Sequence, residues 1–196
     1  MRKKSKMMSE HSRPERSPLV LDRSFFDRPT CQVAEELIGK YLVRRIGSKN
    51  VPAMITETEA YDGPNDEACH AHRGMTPRNA PMFGAAGHWY VYFVYGMHWM
   101  LNIVTGPKQY PAAVLIRGVT LEDGTVLDGP AKLTKYLQIN RTLNDSMTSK
   151  ETGLWIEDRG ILIDRMRIKR KPRIGVGYAG AWAEKEWRYV YKEVDN

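Results

Sequence analysis

Strand-like segments follow one another along this chain with few helices between them, and this arrangement limits the possible folds more than any other feature. Strands are predicted at 40–46, 52–61, 88–95, 100–105 and 112–119, and the segment 52–61 alternates between apolar and polar residues well enough to be the partner of 40–46. Strands adjacent in sequence can pair through short turns, whereas a parallel sheet needs a crossover connection after each strand. The sequence therefore predicts an α+β fold with an antiparallel or mixed sheet rather than a doubly wound parallel sheet.

Two helices and several late strands complete the expected secondary structure. Thr30 can cap a helix that ends at Gly39, and Pro130 favours the start of a second helix because proline suits a first turn. The segment 62–88 is rich in glycine and proline, and so long an irregular stretch within a domain is usually functional or disordered. Short strands are expected at 154–156, 161–163, 173–176 and 188–190.

The length of 196 residues suits one domain with a substantial core. We expect residues 1–17 to form a basic, disordered arm and residues 18–196 to form the folded domain. No apolar run reaches the roughly 20 residues of a membrane span, and the basic start lacks the apolar stretch of a secretory signal. Cys31 and Cys69 are too few for a disulfide scaffold, which favours an intracellular, cytoplasmic setting.

Charge gives the first indication of a partner. The 30 basic residues exceed the 23 acidic ones, so the formal charge is +7, and clusters lie within 1–17 and 165–173. Such clusters suit a polyanion such as nucleic acid, although many small proteins are basic for solubility and a basic run is usually a solvated face. As phosphate contacts in the second cluster we expect Arg165, Arg167, Lys169, Arg170, Lys171 and Arg173.

A pair of glutamates precedes the long irregular segment. On a strand, Glu57, Glu59 and Tyr61 share one face, because side chains alternate between the two faces. A carboxylate at the end of a strand beside a loop can act as a general base on a substrate that the loop brings to it. Solvent-exposed strand carboxylates are the commoner explanation of such a pair.

Six of the 19 aromatic residues lie between positions 89 and 99. On a strand, Tyr90 and Tyr92 share one face, and Trp89, Phe93 and Tyr95 share the other. A strand buried on both faces explains some of these rings. The tyrosine hydroxyls, however, favour a half-wet surface on which bases can stack.

Cys69, His70 and His72 lie close together and invite a metal interpretation. Structural zinc sites use two separated pairs of ligands, and the sequence offers no second pair, so we expect no metal. A histidine beside the acidic strand and the aromatic segment is better explained as a hydrogen-bond donor or a stacking ring.

Short motifs follow one another from about residue 21 to residue 190. They lie at 57–61, 63–64, 66–68 with His70, 76–79 with 82–83, 90–97, 102–103, 114–117, 129–133 and 173–177. Each motif alone is weak, but their collinear succession resembles the alkyladenine (3-methylpurine) DNA glycosylase family.

This resemblance implies a single compact domain with a curved, barrel-like antiparallel sheet and no helix-hairpin-helix element, metal or other cofactor. It implies an enzyme that flips a damaged purine out of double-stranded DNA and hydrolyses the N-glycosidic bond without a lyase step. The bases would be alkylated or deaminated purines such as 3-methyladenine, 7-methylguanine and hypoxanthine. The protein would be a monomer that uses no membrane and, in a bacterium, associates with the nucleoid.

The resemblance also implies roles at the matching positions. Glu59 would be the general base that activates water, and Arg117 would hold that water and Glu59. Tyr61 and Tyr92 would sandwich the flipped base, and His70 would close the pocket around it.

Further roles follow in the same way. Tyr95 would enter the minor groove and fill the gap left by the flipped nucleotide, with Met97 nearby. Asn102 would lie at the pocket floor and disfavour bases with a 2-amino group such as guanine. Ala68 would belong to the base pocket, and Arg78 would contact the DNA backbone.

The chain departs from the family pattern in three places. The stretch between His70 and Thr76 is shorter than in mammalian members, the connection 120–128 is short where several members have an insertion, and the chain end after Gly177 is atypical. These departures bear on DNA contacts and substrate range more than on catalysis. Two other interpretations stay open: a non-catalytic DNA-binding module on the same fold, and a domain like the C-terminal part of formyltransferases.

Overall fold

One antiparallel sheet organises residues 17–191, the part of the chain that the structure, a computed structural model, describes. Three short helices and several 3-10 turns connect its ten strands within this range. The helices are α1 (Arg23–Phe26), α2 (Thr30–Glu36) and α3 (Pro130–Tyr136). The strands are β1 (Leu19–Val20), β2 (Tyr41–Ile46), β3 (Lys49–Asp62), β4 (Trp89–Val94), β5 (His98–Val104), β6 (Ala112–Leu121), β7 (Val126–Asp128), β8 (Leu154–Asp158), β9 (Ile168–Lys171) and β10 (Arg188–Tyr191).

The strand order is β1-β8-β2-β3-β6-β5-β4, and every pairing among the described residues is antiparallel. The 14-residue β3 has two partners on one edge, because β2 pairs with its first half and β10 with its second half. β9 pairs with β10 and extends the sheet outward. The expected α+β domain with an antiparallel sheet is confirmed, and the sheet stays open because β1 and β4 at the two ends of the order do not pair.

Side chains alternate along the strands and so divide between two faces of the sheet. The core face packs against α2, where the Thr58 hydroxyl donates to the Ala34 carbonyl oxygen at 2.8 Å. The opposite face is called the cavity face. By register on β4, β5, β6, β3, β10 and β9, the cavity face carries Tyr90, Tyr92, Met100, Asn102, Ala113, Leu115, Arg117, Glu57, Glu59, Tyr61, Arg188, Lys171 and Lys169.

The hydrophobic core lies between the core face and the helices. Phe26, Val33 and Leu133 from the helices, and Trp89 and Tyr189 from the sheet, are almost completely buried in it. Each such side chain stabilises the fold by about 1.5–3 kcal/mol through burial. The core therefore fixes the sheet, and the sheet holds the residues of the cavity face in place.

Two of the expected late strands are not strands. Residues 161–163 and 173–176 form no ladder, and Ile163 instead packs against the core beside Gly39. Three strands were not expected from the sequence: β1 has only two residues, β7 has only three, and β9 is mostly lysine and arginine, which are not typical of strands.

The expected arm at 1–17 lies, except for Ser17, outside the described residues, as does the chain end after Tyr191. The short connection at 120–128 is a hairpin between β6 and β7, closed by a hydrogen bond from the Leu121 amide to the Thr125 carbonyl oxygen. Among the described residues no helix has both the length and the hydrophobicity to cross a bilayer.

Candidate active site

A cavity of about 530 Å³ opens on the cavity face of the sheet. Two irregular segments wall it. In the segment 62–88, Cys69 and Met82 pack with Tyr90, and in the segment after β9, Val176 packs with Ala68. This volume lies within the range of small-molecule sites, and the lining is largely aromatic and apolar.

The Glu59 carboxylate lies directly behind this lining and is completely buried. Its Oε1 accepts the Ile174 backbone amide at 2.8 Å, and its Oε2 accepts the Tyr61 hydroxyl at 2.9 Å. Arg117 Nε is 3.4 Å from Oε1. Burial raises the pKa of Glu59, while Arg117, the Ile174 amide and the Tyr61 hydroxyl oppose that rise.

Glu57 shares Arg117 with Glu59. Arg117 Nε donates to Glu57 Oε1 at 3.0 Å, closer than its distance to Glu59, and Arg188 Nη1 donates to the same oxygen at 3.1 Å. The ladder between β3 and β6 shifts register on both sides of Glu57, so a local bulge adjusts the alternation here. Glu57, Glu59 and Tyr61 nevertheless share one face, as the sequence predicts.

Water can reach Glu59 only between its neighbours. Tyr61, Arg117 and Ile174 all line the cavity, whereas Glu59 itself has no exposed surface. Two hydrogen bonds reach the carboxylate, from the Tyr61 hydroxyl and the Ile174 amide, and Arg117 Nε lies 3.4 Å away. A carboxylate offers about four lone-pair sites, so these two donors do not fill its capacity to accept hydrogen bonds.

Aromatic rings form one wall of the cavity. The Tyr90 and Tyr92 rings are 5.0 Å apart, and the His70 ring meets Tyr92 edge-on at 4.6 Å. His70 Nδ1 lies 3.0 Å from the Tyr90 hydroxyl. Burial, with a smaller contribution from Arg78, lowers the pKa of His70, so the imidazole is neutral at neutral pH.

The remaining predicted pocket residues also line the cavity. Asn102 is buried and its Nδ2 donates to the Tyr90 carbonyl oxygen at 3.0 Å. Ala68 is buried as well. Arg78, which was expected to contact the DNA backbone, also lines the cavity. Its Nη2 donates to the Phe93 carbonyl oxygen at 3.0 Å, and its guanidinium lies 5.2 Å from the Tyr92 ring centroid.

The turn between β4 and β5 carries Tyr95 at the cavity rim. Tyr95 has a φ of 53° and Gly96 a φ of 65°, and the Met97 amide donates to the Val94 carbonyl oxygen at 3.1 Å. Positive φ at both central residues is typical of a type I′ hairpin turn, and it is uncommon for an aromatic residue. Tyr95 is 83% exposed and Met97 66% exposed, so the turn presents both side chains outward.

The prediction that Arg173 contacts phosphate is wrong. Its guanidinium is completely buried, and Nη2 donates to Asp66 Oδ1 at 2.8 Å. It lies against the Tyr61 ring at 4.8 Å and the Trp187 ring at 5.1 Å. Pro172 follows the last residue of β9, and the chain then turns inward, which brings the Ile174 amide to Glu59.

Sequence reasoning assigned no role to several residues of the site. Asn79 is buried and ties the rim together, because its Nδ2 donates to the His70 and Gly74 carbonyl oxygens and its Oδ1 accepts the Thr76 amide. The turn-forming residues at 76–79 are the sequence signal from which this role of Asn79 could have been inferred. Also missed were the Asp66–Arg173 pair, the Ile174 amide and Tyr178, which lines the cavity.

The cysteine and histidines considered as metal ligands have other partners. His72 Nδ1 lies 2.8 Å from the Pro64 carbonyl oxygen. Burial raises the pKa of the Cys69 thiol to about 12. Nowhere in residues 17–191 do three histidine, cysteine, aspartate or glutamate side chains come together in a way that could hold a metal ion.

Comparison with known proteins decides the family. The family model for methylpurine-DNA glycosylases matches residues 24–195. The chain belongs to the methylpurine-DNA glycosylase family. As a member, it is a DNA glycosylase of DNA repair, a hydrolase whose substrate is DNA. The resemblance seen in the sequence motifs is thereby confirmed.

Relatives of this glycosylase occur in distant organisms. A protein of Methanocella arvoryzae is 45% identical over 188 residues, which cover 88% of this chain and 92% of the relative. A protein of Psychrobacter cryohalolentis is 42% identical over 201 residues, covering 89% and 92%. One of Rickettsia conorii is 44% identical over 180 residues, covering 91% and 93%. All three are provisionally named 3-methyladenine DNA glycosylase.

Proposed function

We propose that this glycosylase flips alkylated or deaminated purines, of the 3-methyladenine, 7-methylguanine and hypoxanthine class, out of double-stranded DNA and hydrolyses their N-glycosidic bond. The observation that carries the proposal is the buried Glu59 carboxylate behind an aromatic cavity of about 530 Å³. The provisional names of the relatives support the choice of substrate class.

The position of the cavity supports base flipping. Its walls enclose the site, so a base that stays stacked in a duplex cannot reach Glu59, and enzymes with this problem extrude the nucleotide. Extrusion leaves a gap in the stack, which an inserted side chain can fill. Tyr95 and Met97 on the exposed turn at the rim are placed for this task, and a damaged base costs less to unpair than a normal one.

The chemistry then needs one base catalyst. A water oxygen attacks C1′ and its proton passes to Glu59, while the bond between C1′ and the purine nitrogen breaks and its electrons leave with the purine. An alkylated purine that carries positive charge is attracted to tyrosine faces such as those of Tyr61 and Tyr92. When the bond breaks, this purine departs as a neutral base. A positioned general base contributes about 10²–10⁴-fold to such a step.

The same arrangement supports hydrolysis without a lyase step. None of the described residues that line the cavity is a lysine, so no amine is available there to form an imine with the sugar. The product would be a free purine and an intact strand with an abasic site.

An excision assay with purified protein tests the proposal. Duplexes that each carry one lesion should release the free purine, and the strand should break only after treatment with alkali. Borohydride added during the reaction should trap no covalent adduct. Tight binding without release would instead favour a non-catalytic module, and a trapped adduct would contradict hydrolysis by water.

A further inference from the structure

The register of β9 divides the basic run between the two faces of the sheet. Lys171 pairs with Arg188 and Lys169 pairs with Val190, whereas Arg170 pairs with Tyr189. Residues directly opposite in an antiparallel pair have their side chains on the same face. Lys169 and Lys171 therefore lie on the cavity face, and Arg170 lies on the core face.

The arginines of the run have partners on the core side. Arg170 Nη2 donates to Glu35 Oε2 of α2 at 2.8 Å. The Arg167 guanidinium lies 5.2 Å from the Tyr191 ring centroid. Arg165 Nη2 approaches Glu36 Oε1, also of α2, at 4.0 Å. These guanidiniums are thus engaged with α2 and the edge of the core.

The two lysines have no such partners. Both are exposed, and neither makes an ion pair with any residue between 17 and 191. By register on the cavity face, Glu57 lies two strands from Lys169 and Glu59 lies two strands from Lys171. Both carboxylates already have partners: Glu57 accepts from Arg117 and Arg188, and Glu59 accepts from the Tyr61 hydroxyl and the Ile174 amide. Lys169 and Lys171 are thus free cations on the face that holds the active site.

Their spacing and position suit a nucleic-acid backbone. Two residues along a strand advance about 6.6 Å, which is similar to the separation of neighbouring phosphates on an extended strand. Lys171 precedes Ile174 by three residues, so its Cα lies within about 11 Å of the Cα of a residue that lines the cavity. Hydrated ammonium groups on flexible stems bind phosphate as point charges.

We propose that Lys169 and Lys171 bind two successive phosphates of the DNA strand beside the flipped nucleotide, and that Arg165 and Arg170 of the same run do not contact DNA. This inference rests on the proposed function because it takes damaged double-stranded DNA as the ligand. The proposed contact surface is therefore Lys169 and Lys171 on the cavity face, which extend away from the active site, rather than the whole basic run 165–173.

The test is the salt dependence of binding to a duplex that carries a tetrahydrofuran abasic analogue, which the enzyme cannot cleave. Each phosphate contact to duplex DNA contributes about 0.9 to the slope of log K against log salt. K169Q/K171Q should lower that slope by about 1.8, and K169R/K171R should restore it. R165Q/R170Q should keep the wild-type slope, as should the matched control K49Q/K150Q, which removes two exposed lysines elsewhere.

An unchanged slope in K169Q/K171Q would overturn the inference, and so would an equal loss of slope in R165Q/R170Q. Thermal unfolding of each variant establishes that it is folded. Excision by the wild-type protein distinguishes a failure of this inference from a failure of the proposed function. If the wild-type protein excises purines but K169Q/K171Q leaves the slope unchanged, only this inference fails. If the slope falls in K169Q/K171Q but the wild-type protein releases no purine, only the proposed function fails.

Discussion

Glu59 is subject to opposing influences on its protonation. Burial raises its pKa most, and the nearby Glu57 carboxylate adds to the rise. Arg117, the Ile174 amide and the Tyr61 hydroxyl stabilise the charged form and lower the pKa. Because only the ionised form can accept a proton from water, excision should fall with decreasing pH around a midpoint above the ordinary glutamate value of 4.5.

Two substitutions should move that midpoint in opposite directions. Tyr61→Phe keeps the ring but removes a hydrogen bond to the carboxylate, so the midpoint should rise. Glu57→Gln removes a neighbouring negative charge, and Arg117 then interacts mainly with Glu59, so the midpoint should fall. Single-turnover excision measured across pH gives both midpoints. Shifts of the same sign in the two variants would contradict this account of the site.

The residues of the site differ in how visible they are in the sequence. Period-2 alternation is enough to place Glu57, Glu59 and Tyr61 on one face, since it depends only on local geometry. The burial of Arg173 depends on Asp66, which lies 107 positions earlier in the chain. No local pattern records such a pairing, and a run of exposed basic residues just before Arg173 suggests the opposite environment.

At the scale of elements, the hairpin of β4 and β5 joins two tasks. Its strands hold Tyr92 and Asn102 against the cavity, and its turn holds the exposed Tyr95 at the cavity rim. A left-handed conformation at Tyr95 is sparsely populated by aromatic residues and costs of order 1–3 kcal/mol. Under the proposed function, the hairpin would therefore separate insertion into DNA from recognition of the base.

This separation predicts different effects of two substitutions in the hairpin. Tyr95→Ala should lower excision of every lesion by a similar factor, because all substrates share the flipping step. Asn102→Ser should keep flipping and relax the rejection of normal purines, guanine above all, because selection against a substrate depends on groups that oppose it. Single-turnover rates on one panel of lesions and undamaged duplexes compare them. A changed lesion preference in Tyr95→Ala, or a uniform loss in Asn102→Ser, would contradict the division.

Several strands were predictable from their apolar and aromatic residues. The strands around 41–46, 89–94 and 112–121 lie where the sequence places them, although burial does not alternate along them and most of 112–121 is buried. β9 escaped prediction because its residues are cationic and it is held by the neighbouring β10 rather than by its own apolar face.

At the scale of the whole molecule, one sheet serves stability with one face and chemistry with the other. The core face is closed by the helices, while in the described part of the chain the cavity face is covered mainly by the segments 62–88 and 172–183. The Glu59 carboxylate, buried on that face, costs stability when it is ionised, because burial disfavours the charge. The site and the fold are therefore linked through pH.

The sign of this link can be predicted. The pKa of Glu59 is raised in the folded protein, so its ionisation weakens the fold as pH rises from the ordinary value of 4.5 through the raised value. Relative to Glu59→Gln, the wild-type protein should lose free energy of unfolding across that window and then level off. Denaturant unfolding of both proteins at several pH values measures the difference. If the free energy of unfolding of the wild-type protein, relative to that of Glu59→Gln, increased with pH, the pKa of Glu59 would be lowered in the folded protein instead.

The central claim is that Glu59 is the base that activates water for purine release. Glu59→Gln keeps the size of the side chain and an amide oxygen that can accept hydrogen bonds, but it cannot take up the proton. Single-turnover excision from a 3-methyladenine or hypoxanthine duplex, measured beside equilibrium binding, tests the claim directly, with Glu57→Gln as the matched control. We expect Glu59→Gln to bind damaged DNA and to lose at least ~10²-fold in excision, while Glu57→Gln stays within a few-fold of wild type at neutral pH. Excision by Glu59→Gln near the wild-type rate would contradict the claim.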